Sequence, residues 1–252
     1  MEYLSIISST VCNLSMYSLE HIFSFNWIVT KAQALDPIHK HMAAPFILPR
    51  AASLEDPLRL AVMISGGGSG LEALLRFQSE RPRCHQTILV LSDKEDARGI
   101  EHGKSRGIRS IGVPVPPSLS KSESRISHEN LIHAELKSSE VELVVLSGYM
   151  RILTPSFVGK WKGRLVNIHP SLLPDFPGAH PHRDVLSAGM RTTGCTVHLV
   201  DEGVDSGPIL AQRSVPVLPE DDEQSLQERV KKVEHLLYPE VIELICSGAI
   251  SL

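Results

Sequence analysis

Leu58-Arg59-Leu60-Ala61-Val62-Met63-Ile64 runs directly into Ser65-Gly66-Gly67-Gly68-Ser69-Gly70, and a helical pattern follows from Leu71 to about Gln78. An apolar run of this length, closed by a glycine cluster, reads as a buried strand feeding a tight turn into a helix. Backbone N–H groups in such a turn, with the helix N-terminus behind them, can surround a phosphate. Glycine lets the backbone approach closely and take φ > 0. The loop is not a Walker A, since no Gly-Lys-Ser/Thr follows. It is not a full G-x-G-x-x-G either, because position 71 is Leu. A single phosphomonoester therefore fits better than a dinucleotide. The competing reading is a plain strand-to-helix turn with no ligand.

The same alternation continues outward. Strands are predicted over 87–91, 110–113, 141–146 and 164–168, and helices over 97–106 and 123–138, with a Pro/Ser-rich loop at 114–122. Strands alternating with helices imply βαβ units and a parallel sheet. Beyond Pro174 the pattern changes: 195–200 and 208–213 read as paired strands around a turn, antiparallel in this C-terminal part. The stretch from Glu223 to Ile245 is an amphipathic helix with a bend expected at Pro239. The fold class is α/β: a mostly parallel twisted sheet, helices on both faces, ligands at the carboxyl ends of the strands. Residues 57–252 form the domain, with 57–160 as a phosphate-binding half and 161–252 as the catalytic half. Residues 1–56 are expected to be a disordered or loosely packed extension, and Met42 is a candidate internal start.

The 252-residue chain is ordinary in composition, 42% hydrophobic with a net charge of −4. The absence of a long basic run argues against nucleic acid as a partner. No segment offers the roughly 20 uninterrupted apolar residues that span a bilayer, and the N-terminus lacks the basic flank of a secretory signal. Cys12, Cys84, Cys195 and Cys246 form no CxxC pair, so neither a zinc site nor a disulfide framework is suggested. A reducing cytoplasm fits best.

The chemistry concentrates in Asn167-Ile168-His169-Pro170-Ser171-Leu172-Leu173-Pro174, with Asp205 downstream in Asp201-Glu202-Gly203-Val204-Asp205-Ser206-Gly207-Pro208. Alternate side chains of a strand share a face. Asn167 and His169 therefore point one way and Ile168 the other, into the core, and Pro170 stops the strand. An amide donor beside a titratable imidazole suits the negatively charged tetrahedral intermediate of acyl transfer. A carboxylate at 205 next to His169 would raise the imidazole pKa and favour its protonated form. Each residue also has a bland reading, His169 as a satisfied core histidine and Asp205 as a turn cap. His180 and His182 are spaced to share a metal, but no third ligand is evident and Pro181 suggests a loop, so no metal is expected.

Taken together, these blocks resemble the phosphoribosylglycinamide formyltransferases, folate-dependent enzymes of purine synthesis. The likeness covers about residues 58–250. It includes Ser65 to Ser69, Met150-Arg151-Ile152-Leu153, the Asn167 to Pro174 run, Pro177-Gly178, Thr193 to His198, Val204 to Pro208 and Glu234-His235. The resemblance implies a Rossmann-like formyltransferase fold with 10-formyltetrahydrofolate as the formyl-donating cosubstrate. It implies that Gly68, Ser69 and Gly70 hold the ribonucleotide phosphate. Lys231, Lys232, Val233 and Glu234 would lie along the same substrate, Glu234 near its amine. Arg125, Met150 to Leu153, Asn167 and Asp201, Glu202, Gly203, Val204 and Asp205 would line the folate site. Asn167, His169 and Asp205 match the catalytic trio. One departure stands out: the usual loop ends in Asn where this chain has Gly70, which removes a side-chain donor. The implied partners are small molecules, with the chain a monomer or homodimer.

Three rivals remain on the same resemblance. A formyltetrahydrofolate deformylase would use water in place of the amine, and the first 56 residues do not resemble its N-terminal regulatory domain. A methionyl-tRNA formyltransferase would be more basic and carry an RNA-binding domain. A non-catalytic folate or nucleotide sensor would lack one of Asn167, His169 and Asp205.

Overall fold

Residues Leu58–Ile64 form the central strand β1, with nearly every side chain buried. A computed structural model of the chain describes residues 45–116 and 120–252. From β1 the chain passes through α1 (Ser69–Glu80), β2 (His85–Ser92), α2 (Ile100–Lys104), β3 (Arg109–Gly112) and α3 (Lys121–Ser138). Next come β4 (Leu143–Leu146), α4 (Pro155–Lys160), β5 (Leu165–His169), α5 (Pro181–Ser187), β6 (Thr192–Leu199), β7 (Ile209–Pro216) and α6 (Glu223–Cys246).

The seven strands form one sheet in the order β3-β2-β1-β4-β5-β6-β7. β1 pairs in parallel with β2 and β4, β2 with β3, and β4 with β5, whereas β5–β6 and β6–β7 are antiparallel. Successive connections leave β1 in one direction and β4 in the other, so the topological switch point lies between these two strands.

The sheet separates two apolar layers. On one face Leu60, Val62, Val145, Val166 and Val197 pack with Leu71 and Leu74 of α1 and Val230, Val241 and Ile242 of α6. On the other, Ala61, Met63, Val144 and Leu165 pack with Ile132 and Leu136 of α3 and Phe157 of α4. Each fully buried aliphatic side chain contributes about 1.5–3 kcal/mol. The Tyr238 hydroxyl lies 2.9 Å from both Leu146 O and Val166 O, pinning α6 to β4 and β5 just below the site. Among the described residues no helix is long and apolar enough to cross a membrane.

Two local results differ from the sequence reading. α4 and α5 form where no helix is predicted, and at Pro181 where a loop is. Pro155 and Pro181 stand in their first turns, where the missing N–H is harmless, so proline starts these helices instead of breaking them. α6 spans Glu223–Cys246 with Pro239 inside it, as the sequence reading has it. Of the expected extension at 1–56, residues 1–44 (Met42 included) lie outside the described residues. Residues 45–56 lie against the domain: Phe46, Leu48 and Ala52 pack on the core, and Ala52 N–H donates to Cys246 O at 2.8 Å. Arg50 bridges Glu142 at 2.7 Å and Asp56 at 2.9 Å.

Candidate active site

The carboxyl end of β5 carries the predicted site residues Asn167 and His169 on the face away from α6. Val166 and Ile168 pack into the α1–α6 layer, which leaves Asn167 and His169 on the opposite face. The antiparallel register sets His198 of β6 opposite Asn167 and Thr196 opposite His169. Asn167 Nδ2 lies 3.2 Å from His198 Nε2. His198 Nδ1 is 3.0 Å from Leu199 O, a carbonyl that can only accept, so Nδ1 carries a proton, and Nε2 faces the Asn167 amide.

The loop after β6 folds back over this face and delivers Asp205. Its Oδ2 stands 3.3 Å from His169 Nδ1 and accepts Gly178 N–H at 2.8 Å, and its Oδ1 lies 3.6 Å from His198 Nε2. The predicted trio of Asn167, His169 and Asp205 is therefore one cluster. Asp205 takes φ 52°, in the left-handed region, and Phe176 takes φ 53°. The second turn brings the Phe176 carbonyl 2.9 Å from His169 Nε2.

Both ring nitrogens of His169 face oxygen acceptors, which a doubly protonated ring would satisfy. Burial opposes that charge, and His169 is only 5% exposed. Desolvation outweighs the Phe176 carbonyl and the Asp205 carboxylate and draws the pKa below its ordinary value. The expected rise does not occur: Asp205 pulls upward, but burial pulls harder. Asp205 itself is desolvated, which alone would raise its pKa. The His198 ring, the Gly178 N–H and His169 overcome this and hold the carboxyl below its ordinary value.

The glycine loop sits at the end of β1. Gly68 takes φ 67° as the N-cap of α1, and a Cβ there would stand 2.9 Å from Gly99 Cα, so only glycine fits. No side chain caps the helix. Glu72 N–H is the first to reach a carbonyl, Gly68 O at 2.9 Å. The N–H groups of Ser69, Gly70 and Leu71 thus point out of the helix end toward any anion placed there. A Cβ on Gly66 or Gly67 would meet nothing within 4 Å, so the space over the loop is open. Ser69 Oγ lies 3.2 Å from His235 Nε2, which brings α6 beside the loop. Glu234, half-buried on the preceding position, has its carboxyl pushed up to about 7 by desolvation, partly offset by Lys231. Lys231 and Val233 are half-buried and Lys232 is exposed.

The remaining residues implied for folate flank β5. Met150 and Ile152 are 78% and 65% exposed on the loop after β4, and Val204 is 57% exposed on the loop after β6. They form apolar lips on either side of the polar cluster. The first lip is held from behind. Met150 N–H donates to Ser65 Oγ at 2.9 Å, Arg151 Nη1 is 3.3 Å from Asp93 Oδ2, and buried Glu129 accepts Thr154 N–H at 2.7 Å and the Thr154 hydroxyl. Leu153 turns inward onto the core. Asp201 Oδ1 accepts from Gly203 N–H at 3.1 Å and Ser206 Oγ at 2.8 Å, closing the second loop, with Glu202 exposed at its tip. Arg125 stands exposed on α3 with no ion pair among the described residues.

Four groups are given no role from sequence, although three of them lie in the resembling blocks: His198, His235, the Gly178 N–H and, outside those blocks, the Phe176 carbonyl. His198 also carries a pattern signal, alternating with Thr196 in a predicted strand. His180 is exposed at the start of α5 and His182 is buried within it. Among the described residues no group of three or more His, Cys, Asp or Glu is placed to hold a metal.

An Asn–His–Asp cluster at the carboxyl end of one strand, beside a glycine loop that opens a helix at the end of another, is an arrangement suited to acyl transfer on a doubly wound sheet. Residues 58–242 match the formyl transferase family, and the chain belongs to that family. The phosphoribosylglycinamide formyltransferase of Escherichia coli (strain K12) is 37% identical over 195 residues, covering 77% of this chain and 90% of that protein. The trifunctional purine biosynthetic protein adenosine-3 of Drosophila melanogaster is 43% identical over 192 residues, 75% of this chain. The match spans only 14% of that longer protein. Among solved structures, phosphoribosylglycinamide formyltransferase from Brucella melitensis superposes with a TM-score of 0.70 at 42% identity, covering 78% of this chain and 99% of that one. Glycinamide ribonucleotide transformylase 1 from Symbiobacterium toebii gives 0.73 at 37% identity, covering 78% and 91%.

Proposed function

We propose that this protein transfers the formyl group of 10-formyltetrahydrofolate to the amine of 5'-phosphoribosylglycinamide, yielding the N-formyl product and tetrahydrofolate in purine biosynthesis. The observation that carries the reading is the Asn167–His169–Asp205 cluster, with Asp205 Oδ2 3.3 Å from His169 Nδ1. The phosphate rests on the N–H groups at Gly68, Ser69 and Gly70. The amine lies toward Glu234, and the folate lies between the Met150–Ile152 and Val204 lips.

The amine nitrogen attacks the formyl carbon, and the carbonyl π pair moves to oxygen. No enzyme nucleophile is needed, since an amine is already competent, and holding both reactants in place supplies much of the acceleration. Asn167 donates a hydrogen bond to the developing oxyanion. Burial disfavours the charged form of His169 and draws its pKa below the ordinary value. Negative charge forming beside it favours protonation, so it stabilises the intermediate as imidazolium, with Asp205 as counter-charge. The attacking nitrogen gives up a proton to His169, the oxyanion pair re-forms the carbonyl, and the carbon–N10 bond breaks with its electron pair leaving on N10, which takes the proton back from the His169 imidazolium. A reaction in the cytoplasm belongs to the same proposal.

The test is an assay of tetrahydrofolate release from 10-formyltetrahydrofolate with and without phosphoribosylglycinamide. Release that requires the ribonucleotide supports transfer. Equal release in its absence makes the protein a hydrolase and overturns the proposal.

A further inference from the structure

Gly70 and Ser147 meet across the switch point of the sheet. β1 feeds the glycine loop and its neighbour β4 feeds Ser147. The crevice outside two such strands is where open α/β sheets take their ligands. A Cβ on Gly70 would stand 2.4 Å from Ser147 Oγ, so the hydroxyl occupies the room a side chain at 70 would need.

Ser147 is 8% exposed, and its N–H is committed to Met63 O at 2.9 Å. Its Oγ makes no hydrogen bond among the described residues, and it is not one of the fully enclosed unpartnered atoms, so it keeps some exposure beside Gly70. The neighbouring hydroxyls are engaged: Ser65 Oγ accepts Met150 N–H at 2.9 Å and Ser69 Oγ is 3.2 Å from His235 Nε2. A largely buried hydroxyl is costly to leave unpaired. This one faces the first turn of α1, where free N–H groups and the helix dipole already favour negative charge.

We propose that the Ser147 hydroxyl donates a hydrogen bond to a phosphate oxygen of the acceptor held at the glycine loop, replacing the side-chain donor that Gly70 lacks. This rests on the ribonucleotide reading given above. A donor–phosphate bond is charge-assisted and among the stronger kind. Ser147 is then a positioning residue for the acceptor, with no part in the chemistry at the formyl carbon.

Steady-state kinetics of Ser147→Ala, Gly70→Asn and the double variant test it, with calorimetric titration of inorganic phosphate as a second readout. Ser147→Ala is expected to raise KM for phosphoribosylglycinamide about ten-fold or more, leaving kcat and KM for 10-formyltetrahydrofolate unchanged. Phosphate binding should weaken in parallel. Gly70→Asn alone should also raise that KM, because its side chain meets Ser147. The double variant should bind the acceptor better than either single one, since losing the hydroxyl at 147 clears the space and an amide side chain at 70 restores a donor. A KM within two-fold of wild type in Ser147→Ala, with phosphate binding unchanged, overturns the proposal. If wild-type protein shows no transfer but Ser147→Ala still weakens phosphate binding, the ribonucleotide reading fails while the phosphate contact stands.

Discussion

The Asp205 carboxylate lies 3.3 Å from His169 Nδ1 while its backbone is held at φ 52°. The left-handed conformation matters for how the pair is probed. Asn tolerates that region better than most residues, so Asp205→Asn keeps the turn while removing the charge. It also keeps an oxygen for the Gly178 N–H. The neutral amide cannot balance a His169 imidazolium, so kcat should fall about 10²-fold or more, comparable to removing an oxyanion donor. The melting temperature should shift by only a few degrees. A kcat within a factor of three of wild type would remove Asp205 from the mechanism.

Asn167→Ala separates oxyanion stabilisation from binding. The amide also meets His198 Nε2, 3.2 Å away, so its loss removes one neighbour of that nitrogen and leaves Asp205 Oδ1 at 3.6 Å. The expected result is a fall in kcat of about 10²–10³ with KM for the ribonucleotide nearly constant. A rise in KM with kcat intact would instead make Asn167 a ground-state contact.

The legible part of this molecule is the part governed by local pattern. The strand-to-glycine-loop-to-helix passage at 58–78 fixes its own geometry, and period two on β5 places Asn167 and His169 together whatever surrounds them. His198 escapes such reasoning because its place opposite Asn167 depends on the β5–β6 register, a long-range fact. The Phe176 carbonyl and Gly178 N–H are backbone groups, which side-chain chemistry in a sequence does not reveal. α4 and α5 are too short, at 6 and 7 residues, to show a helical period. The sequence points the wrong way on the His169 pKa because it reveals a neighbouring charge more readily than the depth of burial.

Glu129 gives a prediction about loop order. This buried carboxylate accepts from the Thr154 N–H at 2.7 Å and from the Thr154 hydroxyl, fixing the far end of the Met150–Leu153 lip where α4 begins. Glu129→Ala leaves the N-cap of α4 without its anchor, and loss of buried hydrogen-bond partners costs about 1–3 kcal/mol. KM for 10-formyltetrahydrofolate should rise several-fold with KM for the ribonucleotide unchanged, and amide exchange at 150–158 should accelerate. Uniform exchange across the domain, with both KM values altered together, would count against a local role.

Glu234 sets stability against function. Its carboxyl binds a proton near pH 7 in the folded chain, against an ordinary value of 4.5, because it is desolvated on α6. Between those values the folded state holds more protons than the unfolded one, so this group favours folding as pH falls from 7 toward 4.5 and penalises it above 7. Wild-type melting curves alone would not isolate the effect. Burial lowers the pKa of His128, His169 and His182, whose contribution is full above pH 6.5 and is lost on acidification. Comparison with Glu234→Gln cancels the histidines. The variant should be more stable at pH 8 by on the order of 2 kcal/mol, and that advantage should shrink through pH 7 and vanish below about 4.5. Its kcat/KM for phosphoribosylglycinamide should fall in the same protein, because the carboxylate penalised in the fold is the one proposed to face the amine. A variant that is both more stable at pH 8 and fully active would place the amine elsewhere.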